Sequence, residues 1–115
     1  MNKYTELSDF EINKRVAGHD LPCDYNINEH TKTVELISFL GDDDEYNVYG
    51  EFDPCNNPYY AMPIIIENGI SMVRVNNAWS ARQFNNHCIE INGDNYYRIA
   101  METYLLMKDA ENEKV

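Results

Sequence analysis

The chain has 115 residues, enough for one domain and too few for two independent cores. Twenty acidic against nine basic residues leave a net charge of −11, which repels phosphate backbones and anionic lipid and favours basic partners, although the same charge serves solubility alone. A hydrophobic fraction of 43% excludes a disordered body, and no run approaches the ~20 apolar residues of a membrane span.

Residues 1–10 are polar and acidic and lack the basic start and apolar stretch of a secretory signal, so a cytoplasmic location is expected. Ser8 and Glu11 form an S-x-x-E capping box, with Leu7 and Ile12 placed as a hydrophobic staple. They predict a helix over 8–17, with Asp9 and Glu11 at its positive end and Gly18 as its stop. Residues 18–30, rich in Gly, Pro, Asp and Asn, read as a loop.

From Thr31 to Leu40 the β-branched content rises, and apolar residues at successive positions predict a strand covered on both faces. Gly41-Asp42-Asp43-Asp44-Glu45 is a turn into a second strand, Tyr46 to Phe52, forming a hairpin. Asn57-Pro58 is an N-cap and N1 pair, because Pro lacks a donor that would be orphaned there anyway. The helix it starts, Tyr59 to Ile66, must kink at Pro63 or lose its first turn, and Asn68-Gly69 ends it.

Asn76-Asn77 suits a two-residue hairpin turn between strands at 70–75 and 78–84, with Arg74 opposite Trp79. Cys88 to Ile91 offers a fifth strand. From 95 to 111, Tyr96, Ile99, Ala100, Thr103, Leu106, Met107 and Ala110 recur at helical spacing as one buried stripe, and residues 112–115 fray. The sum is a single α+β domain over 1–115. Its mainly antiparallel sheet has 4–5 strands, with three helices packed largely on one face.

Chemistry-bearing patterns are sparse. His19, His30 and His87 fall in loops without metal-ligand spacing, and strand alternation would aim His87 and its neighbour Cys88 to opposite faces. The odd, scattered Cys23, Cys55 and Cys88 suit reduced thiols. Asp42, Asp43, Asp44 and Glu45 lack the alternating ligands of a calcium loop. No cofactor or metal is expected, and no nucleophile–base pair indicates an enzyme.

Two features invite binding hypotheses. The helix start at Asn56-Asn57-Pro58, with Arg74, Trp79 and Arg82, would receive a small anion or nucleotide-like ligand. A plain helix cap and an Arg stem packed on an indole explain the same residues. The acidic residues Asp42, Asp43, Asp44, Glu45 and Glu51 would instead face a basic protein, standing in for the phosphates of a nucleic acid. Neither reading involves direct nucleic-acid or membrane binding. The nine tyrosines, among them Tyr59, Tyr60, Tyr96 and Tyr97, leave a homodimer open.

Three stretches resemble the phage NinX family. They are Leu7-Ser8-Asp9-Phe10-Glu11-Ile12-Asn13 with Val16-Ala17, then Phe52-Asp53-Pro54-Cys55-Asn56-Asn57-Pro58 running on to Asn68, then Tyr97-Arg98-Ile99-Ala100-Met101 through Leu105-Leu106-Met107. Ala61-Met62-Pro63 stands where the family has Ala-Trp-Pro. The resemblance implies an accessory protein of a lambda-like bacteriophage or prophage, acting in the bacterial host cell, and it carries over no catalytic residues. The leading expectation is a non-enzymatic protein that binds a host or phage macromolecule in a counter-defence role. The alternative is a small-ligand-binding protein.

Overall fold

A computed structural model describes residues 2–41, 44–85 and 87–113. The elements run α1 (Asp9–Asp20), β1 (Tyr25–Asn28), β2 (Thr33–Phe39), β3 (Tyr46–Glu51), α2 (Pro58–Glu67), β4 (Ser71–Val75), β5 (Ala78–Gln83), β6 (Ile89–Gly93) and α3 (Tyr96–Glu113). The α+β class and the three helices match expectation. The single sheet of 4–5 strands does not, because six strands divide into two antiparallel sheets, ordered β1-β2-β3 and β4-β5-β6.

The extra strand, β1, lies inside the stretch expected to be a loop. Its Tyr25 and Ile27 pair with Leu36 and Val34, so β2 supplies the register that the Asn-rich sequence conceals. The first helix runs to Asp20, beyond Gly18, whose surroundings are open and would accept a Cβ. Ser8 Oγ accepts the Glu11 N–H at 3.2 Å, but the Glu11 carboxylate turns to Lys14 and Arg15, so only half of the capping box forms. In the second helix Asn57 caps and α2 continues through Pro63 without a break.

The third helix is the centre of the molecule. Asn95 Oδ1 caps it by accepting the N–H groups of Tyr97 and Arg98 at 3.1 Å. Ile99, Ala100, Met101, Thr103, Tyr104, Leu105 and Met107 are buried, whereas Leu106 and Ala110, expected in the same stripe, are only half-buried. One side of α3 meets α1 and α2, and β5 and β6 also pack against it. The second sheet approaches closely: a Cβ on Gly93 would lie 2.7 Å from Ile99 Cγ2. Helices thus flank and bridge two sheets, in place of the expected layer on one face.

The first sheet reaches the core through Val34 and Leu36, which join Phe10, Ile12, Val16 and Phe52. The expectation that the strand over 31–40, here β2, is covered on both faces fails beyond Ile37, where Phe39 and Leu40 are exposed. The radius of gyration, 15.3 Å, exceeds the ~13 Å usual for this length, which fits a hairpin that stands away from the body. Among the described residues no helix is long and apolar enough to cross a membrane.

Candidate interaction surface

Strand alternation sorts the first sheet into two faces. Val34 and Leu36 point into the core, so Glu35, Ile37 and Phe39 point the other way. The β2–β3 register sets Glu51 opposite Glu35, Val48 opposite Ile37 and Tyr46 opposite Phe39. This outer face therefore has an apolar centre rimmed by carboxylates. Phe39 and Val48 are each 51% exposed and Tyr46 is 39% exposed, with the Phe39 and Tyr46 rings edge to face at 6.1 Å. Several large apolar groups gathered on one solvent-facing surface mark an interaction site more often than scattered single ones do.

The rim is electrostatically one-sided. Between Lys32 and Arg74 the sequence contains no Lys, Arg or His, while Glu35, Asp44, Glu45 and Glu51 all belong to this hairpin. Glu35 and Glu51 stand directly opposite each other, an arrangement that costs stability in a sheet. The Asn26 and Asn28 side-chain amides each donate to the Glu35 carboxylate at 3.0 Å, and these bonds hold its pKa below the ordinary value. Asp44, Glu45 and Glu51 take part in none of the ion pairs among the described residues. Asp42 and Asp43, expected in the same acidic set, lie outside the described residues.

The residues expected to hold a small ligand are divided between elements. Asn57 Oδ1 accepts the Tyr59 N–H at 3.0 Å, the Asn57 carbonyl accepts from Tyr60, and Pro58 has no donor, so the start of α2 is satisfied from within the chain. Asn56 Nδ2 donates to both Asp9 and Asp53 at 3.1 Å. Arg74 lies over Trp79, its guanidinium carbon 5.0 Å from the ring, and Trp79 meets Tyr96 edge to face at 4.9 Å. Alternation along β5 puts Arg82 on the opposite face of the sheet from Trp79, where it donates to Ser80 Oγ and pairs with Glu90 at 3.5 Å.

The Asn56 contacts belong to a polar network that sequence reasoning missed. Asn13 Nδ2 donates to Asp53 at 2.7 Å while its Oδ1 accepts the Cys55 N–H at 3.1 Å. Asp9 accepts from Asn56 and, at 2.7 Å, from Arg98. Arg98 completes its set with Glu102 at 2.7 Å and the carbonyls of Tyr4 and Leu7 at 2.9 and 2.7 Å. Burial opposes the Arg98 charge, but its bonds to Asp9 and Glu102 outweigh that and raise its pKa. Burial also pushes the Cys55 thiol well above its usual value, so this cysteine is inert packing. The three stretches Leu7–Asn13, Phe52–Asn57 and Tyr97–Glu102 thus converge here, and their polar residues join helices and loops to one another.

A family model described as bacteriophage P22 NinX matches residues 3–108, and the chain belongs to that family. No curated protein and no solved structure is significantly similar to it.

Proposed function

From that membership, we propose that this accessory phage protein is non-enzymatic and acts in the host cell by binding a basic host or phage protein. It would do so through the outer face of β2 and β3. The observation that carries the reading is the exposure of Phe39, Tyr46 and Val48 together on one sheet face within an acidic rim. Apolar burial would supply affinity, and the unpaired carboxylates would steer a cationic partner and reject nucleic acid and other anions. A counter-defence role follows if that partner is a host nuclease or other defence protein whose phosphate-binding face the carboxylates occupy.

The alternative, a nucleotide-like ligand at Asn56, Asn57, Arg74, Trp79 and Arg82, draws on side chains already engaged within the chain and on both faces of the second sheet. It is the weaker reading.

The test is quantitative co-purification from host cells carrying the phage, using tagged wild type and Tyr46→Ser/Val48→Ser. Removing two apolar anchors should cut partner retention tenfold or more, since central interface residues are worth ~2 kcal/mol or more each. A Val73→Ser/Val75→Ser control alters exposed valines of the other sheet and should retain the partner. Equal retention by all three proteins would exclude this face as the binding surface.

A further inference from the structure

A groove lies between β6 and α3, apart from the face of β2 and β3. Its volume is about 260 Å³, and it is lined by Asn2, Cys88, Ile89, Glu90, Ile91, Leu106 and Ala110. That is below the ~300–1,000 Å³ of pockets that enclose drug-sized ligands. It suits one or two aliphatic side chains delivered by something larger. Half-burial of Leu106 and Ala110, which continue the core stripe of α3, leaves this floor apolar and open.

What lies beside the floor identifies the visitor. β6 is an edge strand: β5 pairs with one side, and among the described residues no strand pairs with the other. Alternate residues of such a strand turn N–H and C=O groups outward, a template for an added strand. Four strands are sheet edges, β1, β3, β4 and β6, and of these β6 is the one that borders the groove. The β2–β3 register shifts at Leu36/Ile37, an irregularity that discourages strand addition to β3, whereas β5 and β6 pair in unbroken register from Gln83↔Ile89 to Trp79↔Gly93.

Side-chain chemistry adds a pattern. Ile89 and Ile91 share the face of Ala81 and Gln83, toward α3, while Glu90 shares the opposite face with Arg82. Glu90 is the one carboxylate among the groove-lining residues, and none of those residues is a Lys or Arg. On its β5 side it pairs with Arg82 at 3.5 Å, and it accepts from Asn92 Nδ2 at 3.3 Å, so a cation on a strand added beyond β6 would extend an alternating cross-strand ladder. Residues flanking that cation would drop against Leu106 and Ala110. We propose that the groove binds an extended peptide segment of apolar–cationic–apolar pattern, added antiparallel or parallel to β6 as a fourth strand of the second sheet. A second copy of this chain fits poorly, because each copy carries −11.

The probes are three synthetic peptides: Thr-Val-Lys-Val-Thr, the same peptide with Glu for Lys, and the Lys peptide N-methylated on alternate amides. Titrations follow amide shifts of the wild type and of Glu90→Lys. The Lys peptide should shift residues 89–93 together with Leu106 and Ala110, saturating at or below ~1 mM, as expected of a weak strand-addition contact. The Glu and N-methylated peptides should bind at least tenfold more weakly. Glu90→Lys should reverse the preference between Lys and Glu, and Ala110→Trp, which fills the groove, should abolish binding while leaving the remaining shifts in place. Equal binding of Lys and Glu peptides, shifts outside β6 and α3, insensitivity to N-methylation, or concentration-dependent self-association through the same amides would each overturn the proposal.

Discussion

Arg98 Nη1 lies 2.7 Å from Asp9 Oδ1, an ion pair that closes 89 residues of chain and fixes the start of α1 against α3. The same guanidinium holds Glu102, whose side chain is only 7% exposed, and two backbone carbonyls. Arg98→Met should therefore destabilise the fold by about 3–5 kcal/mol, because a buried carboxylate loses its cationic partner as two carbonyls lose their donor. Asp9→Asn, at a more exposed carboxylate, should cost about 1 kcal/mol. Urea unfolding of both variants checks the order, and equal small losses would show that the network is idle.

Two glycines should respond oppositely to Ala. A Cβ at Gly93 would meet Ile99 Cγ2 at 2.7 Å, and relieving that overlap should cost about 1–3 kcal/mol. Gly18 lies inside α1 with nothing within 4 Å, so Gly18→Ala should stabilise by about 0.5–1 kcal/mol. Thermal melts of the two variants should bracket the wild type.

Asp20 gives a pH dependence of definite sign. Burial, then the charge of Glu67, raises its pKa above the ordinary 3.8, with Lys108 opposing. The folded state thus binds the proton more tightly than the unfolded state does. Stability from this group is greatest below its unfolded pKa and falls as pH rises through the folded pKa. Asp20→Asn should accordingly be more stable than wild type near neutral pH, by less than about 1 kcal/mol, and the difference should vanish in acid. A gain that grows toward low pH would contradict the assignment.

Thiol reactivity should separate the three cysteines. Cys23 and Cys88 are exposed, whereas Cys55 is buried with its thiolate disfavoured. A disulfide reagent should titrate two thiols in the native protein and the third only on unfolding. Rapid reaction of all three would place Cys55 at the surface.

The surface anchors should be dispensable to the fold. Val48→Ser and Phe39→Ser remove apolar groups that are already half in water, so stability should change by no more than about 1 kcal/mol. A larger loss on denaturant unfolding would mean that the hairpin supports the core.

Local signals were legible where one element suffices to express them. The Ser8 and Asn57 caps, the hairpin at Asn76-Asn77 with its positive φ at Asn76, and the Arg74–Trp79 pair all appear as the sequence indicates. β1 was not legible, since Tyr25-Asn26-Ile27-Asn28 has strand character only in the presence of β2. The division into two sheets was hidden for the same reason: hairpins specify which strands pair locally, not whether successive hairpins join. The candidate surface escaped because Phe39, Tyr46 and Val48 resemble core residues until the packing leaves them exposed.

The amino-acid sequence alone determined the acidic character, the α+β class, the helices and their caps, and the phage family, because each is set by composition, short-range spacing or residue identity. Only the tertiary structure decided which apolar residues stay in water and which polar residues become structural. Burial depends on what packs against a side chain. That is why Asn56 and Arg98 became joints of the fold while Phe39, Tyr46 and Val48 were left on the surface.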